Sequence, residues 1–106
     1  AELAKSAVSK GYQVVIAAAG MAAYVAVVIA YMTTLLVIGV VLPGSHLNGI
    51  DSLYSIVQMP GGVPVACMAV GKAGMKNAAL FACQILALNN PDLADKYRNY
   101  KNDLAK

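Results

Sequence analysis

The chain has 106 residues, 59% of them hydrophobic and 12% charged, with a formal net charge of +3. This length supports one small domain with little surplus core. The modest charge, with no basic stripe interleaved with aromatics, argues against a nucleic-acid partner. Cys67 and Cys83 have neither metal-pair nor redox-pair spacing; in apolar context they read as buried thiols of a reduced, cytoplasmic protein.

Residues 1–10, AELAKSAVSK, read as an amphipathic helix with Leu3, Ala4, Ala7 and Val8 on one face, stopped at Gly11. Being polar, they do not resemble a cleavable signal. Residues 14–42 then carry no charged side chain, a run longer than the roughly 20 residues a membrane helix needs. Residue types argue against a span. Val14, Val15 and Ile16, and later Leu35, Leu36, Val37, Ile38, Val40 and Val41, are mostly β-branched clusters of about strand length, separated by an Ala-rich stretch with Gly20 near its start. Parallel strands covered on both faces are continuously apolar, so a βαβ unit mimics a membrane helix in hydropathy. We therefore expect a βαβ unit over 12–41, with strands near 12–17 and 35–40 and a helix near 22–32, and no membrane partner.

Along that helix Tyr24, Val27, Val28 and Tyr31 recur at helical spacing, while the opposite stripe of Ala22, Ala26, Ile29 and Ala30 is apolar too. One stripe suffices for packing on a sheet; a helix apolar all round is buried on every side. The face Tyr24, Val27, Val28 and Tyr31 is thus a candidate interface between copies, and a homo-oligomer is expected, joined through the first strand and this helix. Downstream, LPGSHLNGID is loop and a short helix is expected over 51–58. MPGGVP is a second loop, a strand is expected over 63–69, and helices over 72–88 and 91–105. In the last helix Pro91 sits in the first turn, with acids early and bases late, as the helix dipole prefers.

Strands alternating with helices imply a parallel sheet. The expected fold class is α/β, a partial three-layer parallel sheet of about three strands with flanking helices, all within a single domain over 1–106. Three strands are few for a doubly wound sheet, so the chain reads as part of a fold. His46, the sole histidine, lies in a loop with no second histidine or carboxylate pair nearby and reads as a solvated or packing residue. No catalytic residue, metal ligand or cofactor is assigned. The turn AAAGMAA opens a helix after a strand, where backbone N–H groups can hold an anion, but it lacks a GxGxxG pattern. The two glycines of QMPGGVP suit either a ligand-covering loop or a plain connector.

The stretch DSLYSIVQMPGGVPV, followed by GKAG.KNAAL.A.QILAL, resembles the phosphoribosylaminoimidazole carboxylase family of purine synthesis, the carboxyaminoimidazole ribonucleotide mutases; GYQVVIAAAG.AA is similar to that family's strand and turn. The resemblance covers about residues 1–88. It implies a flavodoxin-like fold, a cytoplasmic protein, and an octameric assembly. It also implies remnants of a ligand site at Ala19, Gly20, Met21, Ala22 and Ala23, and at Ser52, Gln58, Met59, Pro60 and Gly61.

Departures from the family pattern set a second expectation. The family's Gly-Ser-x-Ser-Asp turn and Ser-Ala-His-Arg segment have no counterpart here, and His46 does not match the acid/base histidine. Where the family reads Gly-Ala-Gly-Gly-Ala-Ala-His-Leu, this chain has Ala18, Ala19, Gly20, Met21, Ala22, Ala23, Tyr24 and Val25. Apolar bulk replaces small or polar groups. On this pattern the chain is expected to be a truncated, engineered fragment: de novo redesigned, self-associating and without catalytic activity, with a small-molecule ligand disfavoured. The alternative is residual aminoimidazole ribonucleotide binding or carboxylate transfer as in the family.

Overall fold

The computed structural model describes residues 11–19, 24–42, 53–54 and 57–105. Three parallel strands, β1 (Val14–Ala19), β2 (Leu36–Val41) and β3 (Ala66–Val70), lie in the order β1-β2-β3. Among the described residues the longer helices beside them are α1 (Tyr24–Met32), α2 (Lys72–Ala87) and α3 (Pro91–Leu104). The α/β class and three-stranded parallel sheet expected from the alternation are present.

The sheet is built around β2, whose residues from Val37 to Val41 are all buried. That explains its unbroken apolar run, since a central parallel strand has no solvent face. Its register with β1 runs from Val14 opposite Leu36 to Ala19 opposite Val41. One sheet face packs α2: Ile38 and Val40 meet Ala78 and Ala82, with Val14, Ala66, Met68, Phe81 and Ile85 around them. The other face packs α1, where Ala17 and Val37 meet Ala26, with Val15, Ile29, Ala30 and Val65.

With nine residues, α1 is roughly 13–14 Å long. Among the described residues no helix is long and apolar enough to cross a membrane. The described residues of the uncharged run 14–42 form strand, helix and strand. Six of α1's nine residues are Val, Ile or Tyr, poor helix formers as isolated residues. Packing of its Ala26, Ile29 and Ala30 stripe therefore holds it, not propensity. Thr33 ends it, its Oγ1 accepting from the Leu35 N–H at 3.1 Å and turning the chain toward β2.

Bounds differ from expectation where backbone chemistry intervenes. β1 starts at Val14, where pairing with Leu36 begins, two residues later than expected. β3 starts at Ala66 and not at 63: the Val63 N–H is engaged with the Pro60 carbonyl oxygen at 3.2 Å, and Pro64 has no N–H to give a ladder. Of the expected short helix, Leu53, Tyr54 and Val57 are helical, with the Gln58 N–H on the Tyr54 carbonyl oxygen at 3.1 Å. The expected N-terminal helix lies outside the described residues, as does His46.

α3 docks on α2 alone among the helices and strands. Asn90 caps it, its Oδ1 accepting from the Leu93 N–H at 3.1 Å, with Pro91 in the first turn. Tyr97 and Tyr100 stack at 6.3 Å, and the Lys76 Nζ lies 6.0 Å from the Tyr100 ring centre. Every charged side chain among the described residues is on α2 or α3, so the α1 side of the sheet carries none.

Candidate functional site

In parallel α/β sheets, ligands bind outside the carboxyl ends of the strands. Here that end is set by Ala19 opposite Val41, and by Val41 opposite Val70. Val41 is fully buried and meets Leu53, Val65, Cys67 and Val70. Its carbonyl oxygen also accepts from the Gly71 N–H at 2.8 Å. This junction depends on a register shift: Val40 pairs with Met68 but Val41 with Val70, leaving Ala69 as an extra residue. Gly71 then adopts φ 92°, a left-handed backbone that favours glycine, and α2 begins at the next residue.

The sequence-derived ligand residues divide. Ala19 closes β1 at the carboxyl end. Gly20, Met21, Ala22, Ala23 and Ser52 lie outside the described residues. Gln58, Pro60 and Gly61 are exposed and Met59 is half-buried. These four reach the sheet from its other end. Ala66 opens β3 opposite Ile38, and Val65 before it packs beside Ala17, Ala26 and Val37. The Pro60–Gly62 turn therefore enters β3 from the side where the strands begin. A strand of five to six residues is about 17–20 Å long, so Ala19 and this turn do not converge within one chain.

The candidate interface also divides. Val28 and Tyr31 are 45% and 60% exposed and Val27 is half-buried; Val25, outside the expected face, is 50% exposed. They point away from the sheet, because the Ala26, Ile29 and Ala30 stripe packs on it. The side chain of Tyr24 is outside the described set.

Among the described residues, no group of three His, Cys, Asp or Glu is placed to hold a metal ion. Burial pushes the Cys67 thiol above its ordinary pKa, so it is held protonated; its Sγ lies 3.4 Å from the Met68 carbonyl oxygen. An apolar cavity of about 180 Å³ lies between α2 and α3, lined by Leu80, Cys83, Leu93, Lys96, Tyr97 and Tyr100. It is smaller than the roughly 300 Å³ at which ligand pockets begin, and it lies on the helical layer away from the strand ends.

A protein-family profile described as "AIRC: AIR carboxylase" matches residues 1–106. The chain belongs to the AIR carboxylase family. Three relatives named "N5-carboxyaminoimidazole ribonucleotide mutase" show how similar it is. That of Saccharolobus solfataricus is 50% identical over 103 residues, covering 97% of this chain and 64% of the relative. The Synechocystis protein is 50% identical over 103 residues, covering 97% and 57%. The Bacillus subtilis protein is 55% identical over 95 residues, covering 90% and 59%. The chain thus spans about three fifths of the length of these relatives.

These matches overturn the expectation of an engineered structural fragment without activity. About half the residues agree with those of mutases along nearly the whole chain. The packing gives the physical reason for the error. The expectation rests on apolar bulk replacing small or polar groups, and such bulk on α1 would shield the β1 flank of the sheet only by turning toward it. In the structure Val25, Val28 and Tyr31 face away from the sheet, and on β1 Ile16 remains 37% exposed and Ala18 exposed. The added bulk does not cover that flank.

The sequence pattern missed Leu53 and the Val41 junction. Leu53 stands in the DSL motif, but nothing in a single apolar residue after a cap signals which strand it meets. The register shift at Ala69 had one available sign, the closely following Gly71 and Gly74.

Proposed function

We propose that this chain forms part of an N5-carboxyaminoimidazole ribonucleotide mutase, a cytoplasmic enzyme of purine synthesis that isomerises that nucleotide by carboxylate transfer. The observation that carries this reading is the 50% identity to such mutases over 97% of the chain. The strand-end junction around Ala19, Val41 and Gly71 is the part of the fold suited to a phosphorylated ligand: parallel sheets receive nucleotides there, where backbone N–H groups at a βα turn face an anion. The test is spectrophotometric conversion of N5-carboxyaminoimidazole ribonucleotide by the intact protein, with calorimetric titration of aminoimidazole ribonucleotide. Turnover above the spontaneous rate supports the reading; neither turnover nor binding heat refutes it.

A second copy belongs to the same proposal. The turn at Ala19 and the Gln58–Gly61 segment approach opposite ends of one sheet, so they serve a common site when they come from different protomers. The outward stripe Val25, Val28 and Tyr31, on the side of the sheet free of described charges, supports such an association. Uncharged apolar faces meet across a two-fold axis without like-charge repulsion.

A further inference from the structure

The described residues between 53 and 65 lead into the start of β3, and Leu53 and Val65 rest on one side chain. Leu53 and Val65 each pack against the fully buried Val41. Between them the described side chains of Tyr54, Val57, Gln58, Pro60, Gly61 and Gly62 are exposed. Two hydrogen bonds shape the interior: Gln58 N–H to the Tyr54 carbonyl oxygen at 3.1 Å, and Val63 N–H to the Pro60 carbonyl oxygen at 3.2 Å. Val65 is fixed independently, because it also packs with Ala17, Ala26 and Val37 and leads into β3. Among the described residues, Leu53 belongs to the Val41 cluster alone.

We infer that Leu53 is a positioning residue: by clasping the loop on Val41 it fixes where Gln58–Gly61 are presented to the nucleotide. This rests on the mutase reading for the loop's role as a ligand contact. The Gln58 N–H is tied to the Tyr54 carbonyl oxygen beside Leu53, so tilting that segment on Val41 displaces Gln58 and the Pro60–Gly62 turn together. The residue touches no substrate; its effect passes through the loop.

The experiment compares Leu53→Ala, Leu53→Met and, as a stability control, Phe81→Leu, which perturbs the core on the other sheet face. Amide hydrogen exchange at Gln58 and Val63 reads the clasp directly, and steady-state kinetics reads its consequence. In Leu53→Ala both amides exchange about tenfold faster and KM for the nucleotide rises about tenfold with kcat little changed, the signature of lost uniform binding. Leu53→Met restores both, and Phe81→Leu moves neither despite a comparable fall in Tm. Unchanged KM in Leu53→Ala, or an equal rise in Phe81→Leu, overturns the positioning role. If the wild-type protein neither turns over nor binds the nucleotide, the functional reading fails by itself. The exchange comparison still decides the clasp: unaltered protection at Gln58 and Val63 in Leu53→Ala refutes it.

Discussion

Gly74 sits where any Cβ would overlap the carbonyl oxygen of Ala69, with the carbonyl carbon 2.7 Å away and the Val40 Cγ1 at 3.2 Å. The cause is the register shift in β3. The extra residue lies immediately ahead of the first turn of α2, and the helix closes on it because position 74 has no side chain. The obstacle is backbone, which has nowhere to move while Gly71 remains tied to Val41.

Gly74→Ala therefore destabilises the fold, although alanine is the better helix former by about 1 kcal/mol. Overpacking against fixed backbone costs about 1–3 kcal/mol or more. The net expectation is a loss of about 2 kcal/mol, or a Tm lower by roughly 8–16 °C. Ala73→Gly, at an exposed neighbouring position, serves as the reference. If Gly74→Ala melts at or above wild type, the close approach is wrong.

The cap of α3 gives a local prediction. Asn90 accepts from the Leu93 N–H through its side chain, and removing such a cap costs about 1 kcal/mol. Asn90→Ala should lose that amount in urea titrations, whereas Asn90→Asp, which also caps, should retain it. Because α3 docks only on α2, faster exchange in Asn90→Ala should be confined to the first turn of α3. Exchange spreading into β2 would contradict that.

Arg98 and Asp95 form an ion pair at 2.6 Å, with side chains 67% and 64% exposed. Short distance does not confer stability in water: exposed pairs contribute about 0.2–1 kcal/mol and are screened by salt. Arg98→Ala should change the urea midpoint by less than about 0.5 kcal/mol equivalent. A larger loss that persists in molar salt would mean that Arg98 does more than pair.

Cys67 supplies a pH dependence. Burial raises its thiol pKa above the ordinary value of 9.0, so the folded state holds this proton more tightly than the unfolded chain. Its contribution is fully present below the unfolded pKa and is lost as pH rises through the higher folded value. Stability measured upward from pH 9.0 should fall more steeply in wild type than in Cys67→Ala, which lacks this group. The protonated thiol should also react slowly with alkylating agents at neutral pH. Parallel stability curves above that pH would remove Cys67 as the source.

How far the sequence alone reached can be judged from these residues. The β-branched clusters located β1 and β2 because a buried parallel strand has few residue types open to it. The helix α3 was legible because a first-turn proline and dipole charges are local signals. The start of β3 was displaced because Val63 and Pro64 look like strand residues by type but not by hydrogen-bonding capacity. The Val41 junction was not legible: whether Leu53 meets Val41 depends on a crossover of more than ten residues. Signature motifs named the family, while direction on α1 needed the structure. Two apolar stripes were visible, and only packing reveals that Ala26 faces the sheet while Val28 faces out.

That outward direction leads to the last prediction. Val25, Val28 and Tyr31 form an exposed apolar stripe on a side of the sheet with no described charge. A charge placed there costs the single chain little, since exposed substitutions usually stay within about 0.5 kcal/mol. Across a two-fold axis the same charge meets its own copy in a dry interface, and like-charge juxtaposition there costs several kcal/mol. Val28→Glu and Tyr31→Lys should each lower the sedimentation mass toward that of one chain at micromolar concentration, with helical content unchanged. Mixing the two variants should partly restore the larger species, because opposite charges then face each other. If neither substitution alters the mass, α1 does not mediate association.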